Sequence, residues 1–251
     1  RDTSGLLIAA KNMHAAARLG DMIRAHAIQR EYLAIASGDM RDIFRDLDTD
    51  AASQECTVSC RTRADQYEMH SVKESPQDSL STPDGTSLPS GLYLRSSADP
   101  AYARAHLQNL DGRFPDSLAD IPTLSDPANP VLGLHFTVNA PIGRKEDSVI
   151  ERCIDYTKGD YAVTHGLLLS YNEEKDLSLL RLKLETGRTH QIRVHMKYLG
   201  HPLPGDFLYH ADDRYITRQP LHSWRLRFRH PISGKLLELT APLPEDMRCL
   251  L

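Results

Sequence analysis

Cysteine, tryptophan and long apolar runs are scarce in this chain, and each scarcity excludes a class of protein. Its 251 residues include four cysteines and one tryptophan, and cysteines so few and scattered do not form a disulfide framework. No apolar run approaches the roughly 20 residues that span a bilayer. With 40% hydrophobic and 25% charged residues, the composition predicts a soluble globular protein with a buried core. A reducing cytoplasm fits these features.

Metal-binding patterns are also missing. Cys56 and Cys60 are four residues apart, but no second Cys or His pair at zinc-finger spacing accompanies them. A metal-dependent hydrolase could use the histidines of the C-terminal half, yet His190 and His195 are five residues apart. That spacing puts them off a common helical face, unlike the i, i+4 pair of a helical zinc site. The spacing therefore predicts no metal site.

Acidic residues are concentrated in one segment, 39–133. It contains sixteen Asp or Glu against eight Lys or Arg, and it includes the run SPQDSLSTPDGTSLPSG. Low apolar content and frequent turn residues predict a mostly disordered insertion, with short helices near 101–110. Since this segment accounts for a charge of −8 and the whole chain for −4, the remaining residues carry +4. The acidity therefore does not argue against a polyanionic partner.

The densest group of polar residues lies in the stretch 177–209. Leucines alternating with charged residues predict a half-buried strand at its start. After a turn at Gly187, apolar residues at helical spacing predict a short helix that ends at Gly200. The strand-to-helix turn and the first helical turns contain six polar residues, namely Arg188, Thr189, His190, Gln191, Arg193 and His195. Because backbone N–H groups are free at a helix start, this turn predicts an anion-binding site, with a solvated polar face as the alternative.

Positive charge surrounds the same stretch. Residues 186–230 contain eight Arg or Lys, six His and only three Asp. Such a local excess predicts a polyanionic partner.

Four motifs, in order, resemble those of the RluA-type RNA pseudouridine synthases. ETGRTHQIRVHMKYLGHPLPGDFLY (185–209) resembles the family signature, and RDTSGLLIAAKN (1–12) resembles the end of the first motif, HRLDxxTSGLL. REYLAIASG (30–38) resembles the second motif, and LHSWRLRFRHPISGKLLELTAPLPEDM (221–247) the closing strands. The resemblance covers about 1–38 and 134–248. It implies one catalytic domain, 1–251, interrupted by the acidic insertion at about 39–133, that converts uridine to pseudouridine in RNA without a cofactor.

The resemblance also implies where the nucleophile lies. In the family motif the catalytic aspartate precedes two variable residues and TSG, which here are Arg1, Asp2 and the residues from Thr3 onwards. The aspartate would therefore immediately precede Arg1, and we expect the chain from Arg1 onwards to be inactive. Asp2 would point to the opposite face of a strand. A catalytically inactive RNA-binding module of the same fold is the alternative reading.

Site residues carry over by their positions in the motifs. Arg193 matches the arginine expected to hold the aspartate ionised and oriented, and Tyr32 matches the residue expected to stack on the target base. Contact with the RNA substrate is expected from Arg188, His190, Gln191, Thr3 and Ser4. The resemblance also implies a monomeric protein whose partner is structured RNA, either rRNA or tRNA. It implies binding neither to DNA nor to a membrane.

The pattern of elements predicts an α+β fold. We expect a mixed, largely antiparallel sheet with flanking helices and an RNA-binding cleft. A buried strand is predicted at Gly5–Ala10, followed by a core helix at about Met13–Ala27 that Asn12 caps. Further strands are predicted at 30–37, 134–138, 150–156 and 161–171, and a hairpin at 221–228 and 235–240. Gly187 and Gly205 are expected to allow backbone conformations that other residues rarely adopt.

Overall fold

The computed structural model describes residues 2–44, 92–96 and 134–251. Within these ranges it has ten strands and three α-helices, and one 3₁₀ helix at Met40–Phe44. The strands are β1 (Ser4–Gly5), β2 (Gln29–Ser37), β3 (Leu92–Ser96), β4 (Leu134–Asn139), β5 (Ile142–Arg144), β6 (Arg152–Ile154), β7 (Val163–Asn172), β8 (Leu177–Leu184), β9 (Leu221–Arg229) and β10 (Leu236–Thr240). The α-helices are α1 (Met13–Arg24), α2 (Gln191–Tyr198) and α3 (Glu245–Arg248).

Eight strands form one sheet in the order β1-β9-β2-β8-β7-β4-β3, with β10 also paired to β9. The pair β1–β9 is parallel, and the other pairs described in this sheet are antiparallel. β5 and β6 form a separate antiparallel ribbon. The predicted α+β fold with a mixed, largely antiparallel sheet is therefore confirmed.

Alternate residues of β2 enter two apolar clusters on opposite faces of the sheet. Leu33 and Ile35 pack with Trp224 on one face. Ala34 and Ala36 pack on the other face in the cluster to which α2 contributes. Because alanine side chains are short, this second face leaves room for a helix to lie close to the sheet.

The predicted buried strand over Gly5–Ala10 is wrong. Only Ser4 and Gly5 pair with β9, and Leu7 is 89% exposed. The reason is that the N-terminal segment and β10 compete for the same edge of β9. The next positions along that edge of β9 are taken by β10, whose last pair joins Thr240 to Arg225, and by the N–H of Ala241, which donates to the Trp224 carbonyl.

Helix α1 begins where the sequence predicts but is more exposed than expected. The Asn12 side chain accepts a hydrogen bond from the N–H of Ala15 at 2.8 Å, which confirms the cap. Of its residues only Leu19 is buried, and it packs with Leu226 and Phe228. The expectation of a core helix is therefore wrong, because α1 rests one narrow face on the end of β9. No helix in the described ranges is long and apolar enough to cross a membrane.

Two described parts of the acidic segment belong to the fold. Met40 and Ile43, in the 3₁₀ helix, are buried in the cluster beneath α2. Strand β3 adds to the sheet by pairing with β4. These two parts differ from the expected disordered excursion. The remainder of the segment, with the short helices predicted near 101–110, lies outside the described residues, so the insertion itself stays a prediction.

Candidate active site

A six-residue connection, 185–190, joins the end of β8 to the start of α2. His190 stands at the N-cap of α2 in the left-handed conformation, with φ 58°. At the other end Gly200 has φ 85°, and the N–H of His201 donates to the Met196 carbonyl at 3.0 Å. This closing pattern is typical of a glycine-terminated helix, so the predicted end of α2 at Gly200 is confirmed.

Gln191 ties the start of α2 to the sheet. Its Oε1 accepts from Thr186 Oγ1 at 2.8 Å and from the Arg188 N–H at 3.0 Å. Its Nε2 donates to the Val163 carbonyl at 2.8 Å and to Thr164 Oγ1 at 3.0 Å. These four hydrogen bonds use the full capacity of a buried amide. The geometry therefore gives Gln191 a positioning role in the connection.

His195 is fully buried beneath the connection. Its Nδ1 lies 2.8 Å from Thr164 Oγ1, and its Nε2 lies 3.0 Å from the Ala140 carbonyl. Burial lowers the pKa of His195 to about 4, although the hydrogen bond to Ala140 acts in the opposite direction. Both ring nitrogens are thus occupied by protein groups. The described ranges contain no group of three His, Cys, Asp or Glu side chains that could hold a metal ion.

The central feature of the site is a buried ion pair between Arg193 and Asp206. Nε and Nη2 of Arg193 donate to Oδ2 and Oδ1 of Asp206, each at 2.6 Å. Asp206 Oδ1 also accepts from the N–H groups of Leu208 and Tyr209 at 3.1 and 3.2 Å. Arg193 is 7% exposed and Asp206 0%. Sequence reasoning missed Asp206, although it stands in the same motif, directly after Gly205.

One end of the Arg193 guanidinium remains open. Asp206 binds the side that carries Nε, and within 2–44, 92–96 and 134–251 no residue accepts a hydrogen bond from Nη1. Aromatic rings flank the group, with ring centroids 4.8 Å away for Tyr209 and 5.8 Å for Phe207. Phe207 is 66% exposed. The fork of Nη1 and Nη2 can therefore receive a second carboxylate beside an accessible aromatic face.

Tyr209 connects the ion pair to His190. Its hydroxyl lies 2.9 Å from Nδ1 of His190 and accepts a hydrogen bond from the Arg152 N–H at 2.9 Å. Burial, followed by the charge of Arg193, lowers the pKa of His190. Burial also raises the pKa of Tyr209. At neutral pH both rings are thus uncharged.

The structure brings Tyr32 to the same face of the sheet as α2. This side chain is half-buried and packs against the cluster that contains Ile192 and Met196. Opposite it on β9 lies Ser223, at an irregularity in the pairing between Glu31 and Tyr32. Tyr32 therefore lies on the face of the sheet whose apolar cluster includes residues of the helix that carries Arg193.

The remaining expected substrate contacts differ in how accessible they are. Arg188 is exposed, and its Nε donates to the Tyr161 carbonyl at 2.9 Å. Thr3 is exposed beside β1. The Ser4 hydroxyl lies 2.9 Å from Nδ1 of His222, which joins β1 to β9. Arg188 and Thr3 are thus open to a ligand, whereas the Ser4 hydroxyl is engaged within the protein.

The family model for RNA pseudouridylate synthase matches residues 1–92 and 131–198. The match covers more than half of the chain, and its second part includes α2 with the Arg193 side chain. The chain therefore belongs to the RNA pseudouridylate synthase family.

Curated relatives match parts of the chain. An uncharacterized RNA pseudouridine synthase, YjbO of Bacillus subtilis, is 52% identical over 115 residues, covering 46% of this chain and 40% of the relative. The ribosomal large subunit pseudouridine synthase D of Vibrio cholerae is 41% identical over 124 residues, covering 44% and 37%. The enzyme of the same name from Zymomonas mobilis is 37% identical over 174 residues, covering 64% and 51%. The chain thus spans about half or less of the length of these relatives.

Among solved structures, human RNA pseudouridylate synthase domain containing 1 resembles the chain with a TM-score of 0.49 and 19% sequence identity. The alignment covers 93% of this chain and 62% of the human one.

Proposed function

We propose that this chain is the greater part of the catalytic domain of an enzyme that converts uridine to pseudouridine in RNA. The observation that carries the proposal is the Arg193 guanidinium, buried and fixed by Asp206 on one side and open at the other. In a member of this family, a guanidinium that is fixed on one side and open on the other is suited to hold a catalytic carboxylate.

The reaction sets clear demands on the site. The bond from C1′ to N1 of uridine breaks, the uracil turns, and a new bond forms from C1′ to C5. C5 then loses its proton and N1 gains one, so the atoms and charge balance. The site therefore needs a carboxylate that acts at the sugar or as a base, a clamp on the free uracil, and exclusion of water. No electron or phosphoryl group is transferred, so we propose that the reaction needs no cofactor.

The carboxylate in this proposal is an aspartate that immediately precedes Arg1 in the complete protein. Its oxygens would accept hydrogen bonds from Nη1 and Nη2 of Arg193, as a fork-to-fork pair. A neighbouring cation favours the ionised carboxylate and keeps it reactive. Since Asp206 already fixes the plane of the guanidinium, the catalytic carboxylate would be oriented without further ordering of the arginine. The chain from Arg1 onwards would then lack turnover.

Tyr32 is proposed to stack on the target uracil. A base that leaves its helix loses its stacked neighbours, and an aromatic face replaces them. Tyr32 is half-buried against the apolar cluster to which α2 contributes, which limits its motion and suits a stacking platform. Arg188 and Thr3, both exposed, are proposed to contact the RNA, with Arg188 on a phosphate or a 2′-hydroxyl. Gln191 and Ser4 are proposed to act by positioning the connection and β1.

Ribosomal RNA is the proposed substrate, because the relatives from Vibrio cholerae and Zymomonas mobilis carry names that refer to the large ribosomal subunit. Transfer RNA is the second candidate within the same class. We further propose that the protein is a monomer and that it acts in the cytoplasm.

The test compares two proteins in one assay. The complete protein, including the residues before Arg1, and the chain from Arg1 onwards are incubated with rRNA and tRNA from a strain lacking the gene, and pseudouridines are mapped. The expected result is a new pseudouridine with the complete protein alone. A non-acidic residue before Arg1, or no site gained by the complete protein and none lost in the deletion strain, would refute the enzymatic proposal and favour an RNA-binding module.

A further inference from the structure

The hydroxyl of Tyr209 lies within hydrogen-bond distance of two groups, the Arg152 N–H and Nδ1 of His190. A backbone N–H can only donate, so the Arg152 N–H, at 2.9 Å, makes the phenol oxygen an acceptor. The second neighbour, Nδ1 of His190 at 2.9 Å, can act either way, depending on the tautomer of the ring. Whether the Tyr209 hydroxyl donates its proton to Nδ1 therefore depends on which tautomer of His190 is present.

Burial decides between the two tautomers. Tyr209 is 7% exposed, and no other described residue accepts a hydrogen bond from its hydroxyl. If His190 carried its proton on Nδ1, the phenol would accept twice and its own proton would be buried without a partner. That penalty disfavours the Nδ1–H tautomer by roughly tenfold or more. The hydroxyl therefore donates to Nδ1, and the ring proton is on Nε2.

The Nε2–H of His190 is directed away from protein partners. The ring is half-buried. Across the described ranges, Nε2 has no hydrogen-bond partner, and it is not among the buried polar atoms that lack one. It is therefore accessible to a ligand. Its residue stands one turn of α2 before Arg193, whose guanidinium lies over the Tyr209 ring at 4.8 Å.

We propose that Tyr209 is a positioning residue that holds His190 in the Nε2–H tautomer, and that this N–H donates a hydrogen bond to an oxygen of the target nucleotide. The assignment of the oxygen rests on the proposed function, whereas the assignment of the tautomer does not. Burial and the neighbouring charges of Arg193 and Arg152 lower the pKa of His190, with Asp206 acting in the opposite direction. The ring therefore stays neutral at pH 7 and carries a single N–H.

The tautomer is tested on the complete protein without RNA. Long-range proton–nitrogen NMR spectra distinguish a protonated from an unprotonated ring nitrogen. We expect unprotonated Nδ1 and protonated Nε2 for His190 in the wild type, and a mixture of the two tautomers in Tyr209→Phe. A proton on Nδ1 in the wild type, or an unchanged tautomer in the variant, would overturn the proposal. The wild-type spectrum gives an answer even if the variant does not fold.

Turnover supplies the second readout. Tyr209→Phe keeps the aromatic ring beneath Arg193 and removes only the hydroxyl, so kcat should fall about tenfold, the rate equivalent of one hydrogen bond. The matched control is Tyr171→Phe, which loses a hydroxyl bonded to Asp176 at 2.8 Å in the β7–β8 hairpin and should keep wild-type kcat. Equal kcat in wild type and Tyr209→Phe refutes the inference alone. An inactive wild type refutes the proposed function instead.

Small probes identify the acceptor oxygen. Uridine 5′-monophosphate should shift the Nε2–H signal of His190. Uridine alone will reproduce the shift if the acceptor is a base or sugar oxygen, and ribose 5-phosphate will do so if it is a phosphate oxygen. If all three probes leave this signal in place, the role of His190 as a donor to the nucleotide is overturned.

Discussion

Arg193 and Asp206 are thirteen residues apart and meet through two parallel hydrogen bonds of 2.6 Å each in a buried site. Two backbone N–H groups hold the same carboxylate, so the pair is anchored to the loop as well as to α2. This geometry fixes the plane of the guanidinium and leaves its Nη1 end open. The pair therefore links the stability of the fold to the orientation of the Arg193 guanidinium.

Asp206→Asn tests the structural side of this pair. In the chain from Arg1 onwards, asparagine can still accept the backbone hydrogen bonds, but Arg193 is left as a buried charge without a counterion. Breaking one partner of a buried pair costs about 3 kcal/mol of unfolding free energy, which lowers the melting temperature by about 6–12 °C for a chain of this size. Thermal and denaturant unfolding measure both quantities.

The matched control is Asp212→Asn. Asp212 binds Arg214 with the same two-bond geometry, at 2.8 and 2.6 Å, but Arg214 is 74% exposed. Water screens such a pair, so its loss should change the melting temperature little. Similar losses in the two variants would show that burial of the Arg193 pair has no special effect.

Much of the structure from β8 to the end of α2 could be predicted from local sequence. Alternating leucines specify β8, and a glycine with φ 85° ends α2 at Gly200, because both signals act over a few residues. The pairing of Arg193 with Asp206 is not local. It requires the loop after α2 to fold back over the helix, and no spacing rule connects an arginine on a helix to an aspartate in the following loop. Asp206 was therefore beyond sequence reasoning.

Arg193→Lys tests the catalytic side of the pair in the complete protein. Lysine keeps the charge but presents a single point instead of a planar fork, so it cannot hold Asp206 and a second carboxylate in fixed positions. We expect turnover to fall by about 10²-fold or more, the size seen when one preorganised donor is removed. Arg193→Ala should abolish turnover. Pseudouridine formation under single-turnover conditions measures both, and wild-type rates in either variant would contradict the assignment.

Tyr32 can be tested by separating aromatic stacking from packing. Tyr32→Phe keeps the ring and should retain RNA binding, whereas Tyr32→Leu fills the site with an apolar side chain that cannot stack. Since stacking on one base contributes about 1–3 kcal/mol, affinity for a single-stranded uridine-containing RNA should fall about 5- to 150-fold in the leucine variant. Fluorescence anisotropy measures the affinity. Equal affinity of the two variants would assign Tyr32 to the core alone.

His195 predicts how stability depends on pH. Its pKa is about 4 in the folded protein, against an ordinary value of 6.5, so between these values the unfolded chain binds more protons than the folded one. Stability from this group is full above pH 6.5 and is lost as pH falls to about 4, a total of about 3 kcal/mol. Urea unfolding at several pH values should show this slope.

The control for that slope is a pair of substitutions. His195→Gln keeps polar atoms in the site without a titrating ring, so the acid-induced loss between pH 6.5 and 4 should become smaller. His14→Gln, on the exposed face of α1, should follow the wild-type curve. An unchanged slope in His195→Gln would mean that other groups cause the acid sensitivity.

The error at the N-terminus has a different origin from the one at Asp206. The run GLLIAA has the composition of a buried strand, and composition predicts only that a segment is able to pair. Whether it pairs depends on a free edge, and the edge of β9 is occupied by β10 beyond Ser223. Segments more than 200 residues apart compete for that edge, so no window of the sequence contains the information.

Gly205 and Gly187 provide a final test within one motif, because the structure gives them different roles. Gly205 has φ 66°, and a Cβ there would lie 2.2 Å from the Ile216 carbonyl oxygen. Gly187 has no strained φ, and a Cβ there would meet nothing within 4 Å, so its expected conformational role is not seen. Gly205→Ala should displace the loop that carries Asp206, and lower both the melting temperature and turnover of the complete protein. Gly187→Ala should leave the melting temperature near wild type. If both alanine variants melt like the wild type, the close approach at Gly205 does not hold the Asp206 loop in place.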